Sequence, residues 1–155
     1  MAGAGTEFNT VFTYNGSAYT DVTFEAQSPA GTAFSALGGT NHFLYLGNTE
    51  RFDMAVFDID TAGSLGSVKW EFSNGSNWTQ FVPASARYAL DPDDDEGGLY
   101  EFDKDGAEIF PQNVMSTWAT LTVNSVNIYW VRASSPTSVA TAPTIKRIQM
   151  RPYNS

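Results

Sequence analysis

Apolar and polar residues alternate along much of this chain in short runs, and clusters of Asn, Gly, Ser and Asp separate the runs. Alternation with a period of two is typical of β-strands, and no stretch has the spacing of an amphipathic helix. The runs predict four hairpins, because each turn cluster lies between two strand-like segments. They are residues 8–24 around Asn15-Gly16, 68–82 around Ser73–Asn77, 99–110 around Asp103–Gly106, and 119–133 around Asn124-Ser125.

The middle of the chain contains two predicted strands of a different kind. Residues 42–46 and 52–59 carry apolar side chains on both alternations. A strand that is apolar on both faces is covered on both, either centrally in a sandwich or at an interface. Residues 26–40 and 134–143 are rich in small residues and predict long crossing connections, and residues 144–151 predict a closing strand.

The composition agrees with an all-β fold. Aromatic residues make up 14% of the 155 residues, and flat rings pack well on a pleated sheet. Several short strands at this spacing predict an antiparallel β-sandwich or barrel. The length fits a single domain over residues 1–155, with residues 1–7 as an N-terminal arm and residues 144–155 as the closing strand and tail.

Charge is distributed unevenly along the chain. The net charge of −9 argues against nucleic acid as a partner, because phosphate contacts need clustered Lys and Arg. Residues 91–108 contain nine acidic residues, whereas residues 109–155 contain none. This separation fits either an ordinary solvated surface or a subunit whose basic end contacts an acidic partner. The second interpretation predicts partner contacts at the four cations of the basic end, Arg132, Lys146, Arg147 and Arg151.

The chain has no cysteine, which excludes disulfides and thiolate metal sites. No apolar run approaches the roughly 18 residues of a membrane span. The first residues lack the basic and apolar segments of a signal peptide. We therefore expect a protein that is made in the cytoplasm and has no membrane partner.

Candidate catalytic residues are few. His42 is the only histidine, and without cysteine there is little to complete a familiar nucleophilic triad. Its position at the start of a strand favours ordinary hydrogen bonding. Asp58 and Asp60 form a close carboxylate pair, but they lie where a strand leads into a turn, which favours a structural role. We therefore expect that the protein is not an enzyme and binds no cofactor.

The spacing of a calcium loop occurs in part within the acidic segment. One register of the EF-hand pattern includes Asp93 and Asp95, and another includes Asp103 and Asp105. Neither register ends in the bidentate Glu that an EF-hand needs, and neither is flanked by predicted helices. A solvated loop is therefore favoured, and these four residues are the candidates for an irregular cation site.

The four tryptophans lie in or beside predicted strands and have two interpretations. Trp70 and Trp130 alternate in phase with neighbouring apolar residues, which is the pattern of a buried core. Exposed tryptophans on strands would instead suit stacking on sugars. The in-phase pattern favours the core, and full burial of Trp70, Trp78 and Trp130 would exclude the sugar platform.

Two regions of the chain resemble a pattern found in virion proteins of tailed bacteriophages. In residues 69–78, Lys-Trp-Glu-Phe-Ser-Asn-Gly-Ser-Asn-Trp is similar to the phage hairpin Trp-Glu-Tyr-Trp-Asn-Gly-x-x-Trp. Residues 116–124 and 127–133 are similar to the companion segment, Trp-Ala-x-x-x-Val-Asn-Gly followed by Tyr-Trp-Val-Arg-x-Arg. The resemblance covers about residues 42–150, and it departs in the acidic segment and at Ser125, where the pattern has Gly.

This resemblance implies a jelly-roll-like β-sandwich that is part of a virus particle, and it brings no catalytic residues. The short single-domain length favours a capsid decoration protein, which binds the major capsid protein or other virion proteins and reinforces the head shell. The resemblance also implies a homo-oligomer, and the analogy suggests a trimer. The alternatives are a tail, collar or baseplate component and, from a different class, a carbohydrate-binding module.

Overall fold

Strands dominate the computed structural model of this protein, as the alternation predicts. The structure describes residues 6–27, 32–65, 68–87, 102–135 and 137–153. These residues form two sheets of antiparallel neighbours that pack face to face around one main core. The predicted all-β sandwich is therefore confirmed.

Within the described residues, the first sheet contains six strands. In spatial order they are β1 (Thr6–Glu7), β13 (Thr144–Pro152), β6 (Phe52–Thr61), β10 (Gly106–Ile109) and β9 (Ala84–Arg87), with β4 (Phe34–Ser35) also paired to β13. The closing strand β13 is confirmed, and it runs beside β6 over most of its length. A register shift between Ile145 and Arg147 leaves Lys146 as an extra, exposed residue.

The described part of the chain contributes seven strands to the second sheet. In spatial order they are β3 (Tyr19–Asp21), β2 (Thr10–Tyr14), β5 (Phe43–Asn48), β12 (Val126–Ser134), β7 (Lys69–Ser73) and β8 (Trp78–Phe81), with β11 (Thr120–Val123) also paired to β12. The predicted hairpins around residues 73–77 and around Asn124-Ser125 are confirmed as β7–β8 and β11–β12.

The chain passes between the sheets in the order of a jelly roll. From β5 onward it alternates from the second sheet to β6 in the first, back to β7 and β8, then to β10, β12 and β13. The spatial orders β1-β13-β6-β10 and β5-β12-β7-β8 are those of the two sheets of a jelly roll. The two strands with apolar residues on both alternations, β5 and β6, therefore lie in opposite sheets, each between two neighbours.

Large aromatic side chains fill the space between the sheets. The Phe52 ring lies 4.9 Å from both Phe8 and Trp118, and Trp70 lies 5.7 Å from Phe110. All five side chains are buried, and each contributes roughly 1.5–3 kcal/mol through burial. The predicted core positions of Trp70 and Trp118 are confirmed.

Two of the turns share one geometry. The backbone N–H of Asn15 donates to the Ala18 carbonyl at 3.2 Å, and the side-chain Oδ1 of Asn15 accepts from the Ala18 N–H at 2.9 Å. Asn74 and Asn77 repeat both bonds, at 3.0 and 2.9 Å. The positive φ angle falls on the Gly that follows each Asn, a conformation that Gly adopts without steric cost.

The prediction over residues 8–24 is wrong in its last part. After β3 the chain forms a short helix, α1 (Thr23–Gln27), where the alternation predicted a strand. The Asp21 carboxylate caps this helix, because its Oδ1 accepts from the Thr23 backbone N–H at 3.0 Å. Ala26 docks in the main core with 1% exposure, so tertiary packing overrides the local strand pattern.

The third predicted hairpin is also wrong as far as the structure describes it. Residues 99–101 lie outside the described residues, and Phe102 lies in a bend rather than in a strand. β10 begins at Gly106, which was assigned to the turn, and it pairs with β6 on one side and β9 on the other. Both edges of β10 are therefore occupied by strands from elsewhere in the chain.

Candidate functional site

The outer face of the second sheet carries a row of side chains that lie opposite one another on neighbouring strands. Tyr45 of β5 lies opposite Phe12 of β2 and Arg132 of β12, and Arg132 lies opposite Glu71 of β7. The sequence neighbours of Tyr45, Arg132 and Glu71 belong to the main core, as does Val11 beside Phe12. Because side chains alternate along a strand, these four point away from that core.

The Arg132 guanidinium lies between two aromatic rings. Its Cζ is 4.3 Å from the centre of the Phe43 ring and 4.2 Å from the Trp78 ring. Its Nε donates to Glu71 Oε1 at 2.8 Å, and its Nη1 donates to Tyr45 Oη at 3.3 Å. Stacking and a charge-assisted hydrogen bond therefore fix the orientation of the guanidinium.

More aromatic rings extend this surface toward the β3 edge of the sheet. The Tyr14 ring lies 6.3 Å from Phe43 and 4.8 Å from Tyr19, and Tyr19 lies 5.7 Å from Tyr45. The ring planes are tilted by 41–50° to one another, so the rings stand against each other on the sheet. We call six residues together the aromatic face: Tyr14, Tyr19, Phe43, Tyr45, Trp78 and Arg132.

Trp130 lies beside Arg132 and Tyr45 on the outer side of the second sheet, in a second cluster that is separate from the main core. Its ring stacks on Phe12 at 5.5 Å, and its Nε1 donates to the Leu121 carbonyl of β11 at 2.9 Å. A Cβ on Gly47 would lie 2.6 Å from the indole, so the ring lies directly over this glycine. Trp130 is fully buried, as predicted, whereas Trp78 is only partly buried and departs from the core prediction.

Burial raises the pKa of the Tyr45 hydroxyl to about 12, because the phenolate would lose its hydration on this covered part of the sheet. The hydrogen bond from Arg132 and its positive charge lower the pKa by a smaller amount. Tyr45 therefore stays a neutral hydroxyl at physiological pH, and Glu71 is the anion that pairs with Arg132.

The four cations predicted as partner contacts lie on different surfaces. Lys146, Arg147 and Arg151 lie on β13 of the first sheet, whereas Arg132 lies on the outer face of the second sheet. Because the two sheets pack through their inner faces, one flat partner surface cannot contact all four. Their role as contacts stays a prediction.

Two of the β13 cations pair with carboxylates of the neighbouring strand β6. Arg147 Nη2 lies 3.1 Å from Asp58 Oδ2, and Arg151 Nε lies 2.7 Å from Asp53 Oδ1. These charges are balanced within the first sheet, so they attract an external anion only weakly.

The acidic residues predicted as cation ligands do not assemble a site in the described part of the chain. Asp93 and Asp95 lie outside the described residues. Asp105 accepts a hydrogen bond from the Ile59 backbone N–H at 2.8 Å, and Asp103 lies beside it in the bend before β10. No group of three or more possible ligands is found in residues 6–27, 32–65, 68–87, 102–135 and 137–153.

The candidate catalytic residues make structural contacts. His42 Nδ1 accepts from the Gly38 backbone N–H at 3.0 Å, which confirms the predicted ordinary hydrogen bonding. Asp58 pairs with Arg147, and Asp60 Oδ2 accepts from the Thr144 hydroxyl at 3.2 Å. The strand-end interpretation of this carboxylate pair is therefore confirmed.

Sequence reasoning identified Arg132 but missed the rings that hold it. Phe43 and Trp78 lie on strands that are distant from β12 in sequence, and their approach depends on the order of strands in the sheet. A usable signal was present in β5, where Phe43 and Tyr45 occupy one alternation and Leu44 and Leu46 the other. That pattern predicted cover on both faces without identifying the partner side chains.

No family model, curated protein or solved structure matches this chain. The resemblance to phage virion proteins therefore stays a prediction. Within the residues that the structure describes, no helix is long and apolar enough to cross a membrane.

Proposed function

We propose that this chain is a structural protein of a bacteriophage particle, and that it is a capsid decoration protein which attaches to the head shell. Support comes from where the segments that resemble phage virion proteins lie. Residues 69–78 form β7, the turn after it and the first residue of β8, and residues 116–133 contain β11 and most of β12. β7 and β12 are neighbours in the second sheet, so the segments meet.

The observation that carries the proposal is the set of hydrogen bonds between these two segments. The Ser73 hydroxyl donates to the Ala119 carbonyl at 2.6 Å and accepts from the Trp130 backbone N–H at 3.2 Å. Trp118 Nε1 donates to the Trp130 carbonyl at 3.0 Å. The residues that resemble the phage pattern therefore pack against one another. This supports the same structural role for the pattern in this chain, which residues scattered over the fold would not.

The rest of the molecule suits an architectural role. Its candidate catalytic side chains are engaged in structural contacts, and its second sheet presents aromatic rings with a fixed arginine. The proposed partner is the major capsid protein or another virion protein, and the proposed state on the particle is a homo-oligomer, a trimer by analogy.

The test is an add-back experiment with heads from the phage that encodes this chain, after their accessory proteins have been stripped. Purified protein should sediment with the heads, reach saturation, and raise the temperature at which the shells break. Failure to bind intact stripped heads would contradict the decoration role. Labelling of tails, collars or baseplates by a specific antibody would instead assign the chain to those parts.

The carbohydrate-binding alternative has one observation in its favour, the partly buried Trp78 on the second sheet. Titration with host surface glycans, followed by tryptophan fluorescence, separates the two functions. A saturable shift with glycans, together with no binding to heads, would favour the carbohydrate-binding module.

A further inference from the structure

We infer that the aromatic face is the surface that contacts the shell, and that its partner is a protein segment which combines apolar side chains with a carboxylate. This inference rests on the proposed function and replaces its distributed set of basic contacts with one surface. Four observations carry it: the composition of the face, its charge, its rigidity, and the tilt of its rings.

The composition of the aromatic face is that of a protein-binding surface. Tyr, Trp and Arg are the residues most enriched at the centres of protein interfaces, where they dominate the binding energy. Here they lie side by side on strands rather than on loops, and Tyr19 at the edge of the face is 39% exposed. A partner would therefore meet large side chains that are already positioned.

The charge of this surface calls for an anionic group on the partner. Lys69 and Arg132 both lie within 4 Å of Glu71, at 3.7 and 2.8 Å, so two positive charges share one carboxylate. The Lys69 side chain is 39% exposed, whereas that of Glu71 is only 11% exposed. Asp21 also carries a negative charge, but it lies on β3, which three strands separate from β7. At about 4.8 Å per strand this distance exceeds the Debye length of about 8–10 Å, so Asp21 does not neutralise the cations beside Glu71. The group of Lys69, Arg132 and Glu71 therefore carries one surplus positive charge, in a chain with a net charge of −9.

The Arg132 guanidinium needs little ordering when a partner binds. Its position between the Phe43 and Trp78 rings, with Glu71 at its Nε, removes most of its side-chain freedom in advance. Side chains that are fixed before binding cost less entropy at the interface. The cations of β13 differ, because Lys146 is exposed at a register shift and the Arg151 side chain remains 44% exposed.

The geometry favours a protein segment over a sugar. Sugar stacking needs a flat exposed ring and several hydrogen-bonding groups that converge on it. On this face the rings are tilted against one another, and the guanidinium already occupies one side of both Phe43 and Trp78. The Nε of Arg132 and the hydroxyl of Tyr45 are also engaged.

The three lysines of the chain make the inference directly testable, because Lys69 and Lys146 report on opposite sheets. The protein, free and bound to stripped heads, is labelled briefly with an amine-reactive acetylating reagent, and each lysine is read by mass spectrometry. We expect binding to slow the labelling of Lys69 by about 5-fold or more while Lys146 changes less than about 2-fold. Protection of Lys146 without protection of Lys69 would overturn the inference.

A carbodiimide, which joins an amine to a carboxylate without a spacer, tests the chemistry of the partner. We expect a cross-link between Lys69 and an Asp or Glu of the shell protein. A protected Lys69 that forms no such cross-link would show that the carboxylate part of the inference is wrong. Release of the bound protein by host glycans would contradict a protein partner.

A matched pair of variants completes the test. Arg132→Lys keeps the charge but loses the planar stacking, and we expect about 10-fold weaker binding to heads. Arg151→Lys on the first sheet should bind within about 2-fold of the unaltered protein. Thermal unfolding of both variants checks that they are folded. If Arg132→Lys is unfolded, the labelling experiment on the unaltered protein still tests the inference. Equal binding of two folded variants would overturn the inference, whereas failure of the unaltered protein to bind would contradict the proposed function instead.

Discussion

The outer faces of the two sheets carry different kinds of side-chain contact. On the first sheet, Arg147 and Arg151 of β13 each pair with a carboxylate of β6, and the long side chains cover the strands. On the second sheet, aromatic rings stand against one another around Glu71, which pairs with both Arg132 and Lys69. Both faces belong to one sandwich, yet within the residues that the structure describes only the second has an apolar cluster of its own.

Burial measures the difference between the two ion pairs. The side chains of Arg147 and Asp58 are 29% and 31% exposed, whereas those of Arg132 and Glu71 are 18% and 11% exposed. Screening by water weakens the first pair more than the second. The Arg132–Glu71 pair therefore lies in a less exposed environment than the Arg147–Asp58 pair.

Removing the Trp130 side chain should cause the largest loss of stability. Trp130→Ala removes the largest side chain of the second cluster and its hydrogen bond to Leu121, so we expect a loss of about 3–5 kcal/mol in the free energy of unfolding. Denaturant unfolding followed by circular dichroism measures it. Gln149→Ala on the first sheet is the control, with an expected change within about 0.5 kcal/mol. Similar losses in the two variants would contradict the contrast between the faces.

Adding a methyl group to Gly47, which the Trp130 ring covers, should have the next largest effect on stability. A methyl group at position 47 would lie 2.6 Å from the Trp130 ring, so Gly47→Ala should destabilise the fold by about 1–3 kcal/mol. The control is Gly38→Ala, whose nearest atoms, on His42, would lie at 3.4 Å. The same denaturant titration reports both variants, and a neutral Gly47→Ala would mean that the indole moves easily.

Neutralising one carboxylate on each sheet compares the ion pairs directly. Glu71→Gln leaves both Arg132 and Lys69 without their anion on a partly buried surface, and we expect a loss of about 1–2 kcal/mol. Asp58→Asn removes the more exposed pair and should cost about 0–1 kcal/mol. Thermal and denaturant unfolding at low and high salt measure both. An equal cost would indicate that burial does not separate the two faces.

Much of the fold could be predicted from alternation alone. The β7–β8 and β11–β12 hairpins and β13 follow from local patterns, because strand and turn are encoded within about a dozen residues. The predictions failed where distant packing decides the structure. Helix α1 forms because Ala26 docks in the core, and β10 pairs with β6 and β9 rather than with the residues before it.

The candidate site could be predicted only in part for the same reason. The charge pattern identified Arg132, but it grouped this residue with three cations that lie on the other sheet. Nothing in a local pattern fixes which strand lies beside β12, so Phe43 and Trp78 could not be assigned to it. The alternation in β5 predicted two covered faces, and that was the sharpest sign of the second cluster.

Alkaline pH should lower the stability of the folded protein through the Tyr45 hydroxyl on the second sheet. Its pKa is raised from 10.0 to about 12 in the folded protein, so the folded state holds the proton more tightly than the unfolded state does. The stability is therefore complete below about pH 10 and falls as the pH rises toward 12, by at most about 1.4 kcal/mol per pH unit from this group. Denaturant midpoints between pH 9 and about pH 11.5 measure the slope. Tyr45→Phe should flatten it, and an unchanged slope would contradict the role of this hydroxyl.

The smallest effect should be a gain, at the turn of the hairpin that covers Trp130. Asn124 and Ser125 both have positive φ, at 47° and 72°, and Ser adopts this conformation at a cost that Gly avoids. Because Gly also loses more entropy on folding, the net gain from Ser125→Gly should be about 0.5–1 kcal/mol, seen as a higher denaturant midpoint. Asn124→Gly is the control and should gain less, since Asn tolerates this region. A loss in Ser125→Gly would mean that the serine side chain has a contact of its own. A gain would mean that the β11–β12 turn is strained at Ser125, the position of this turn where the phage pattern has Gly.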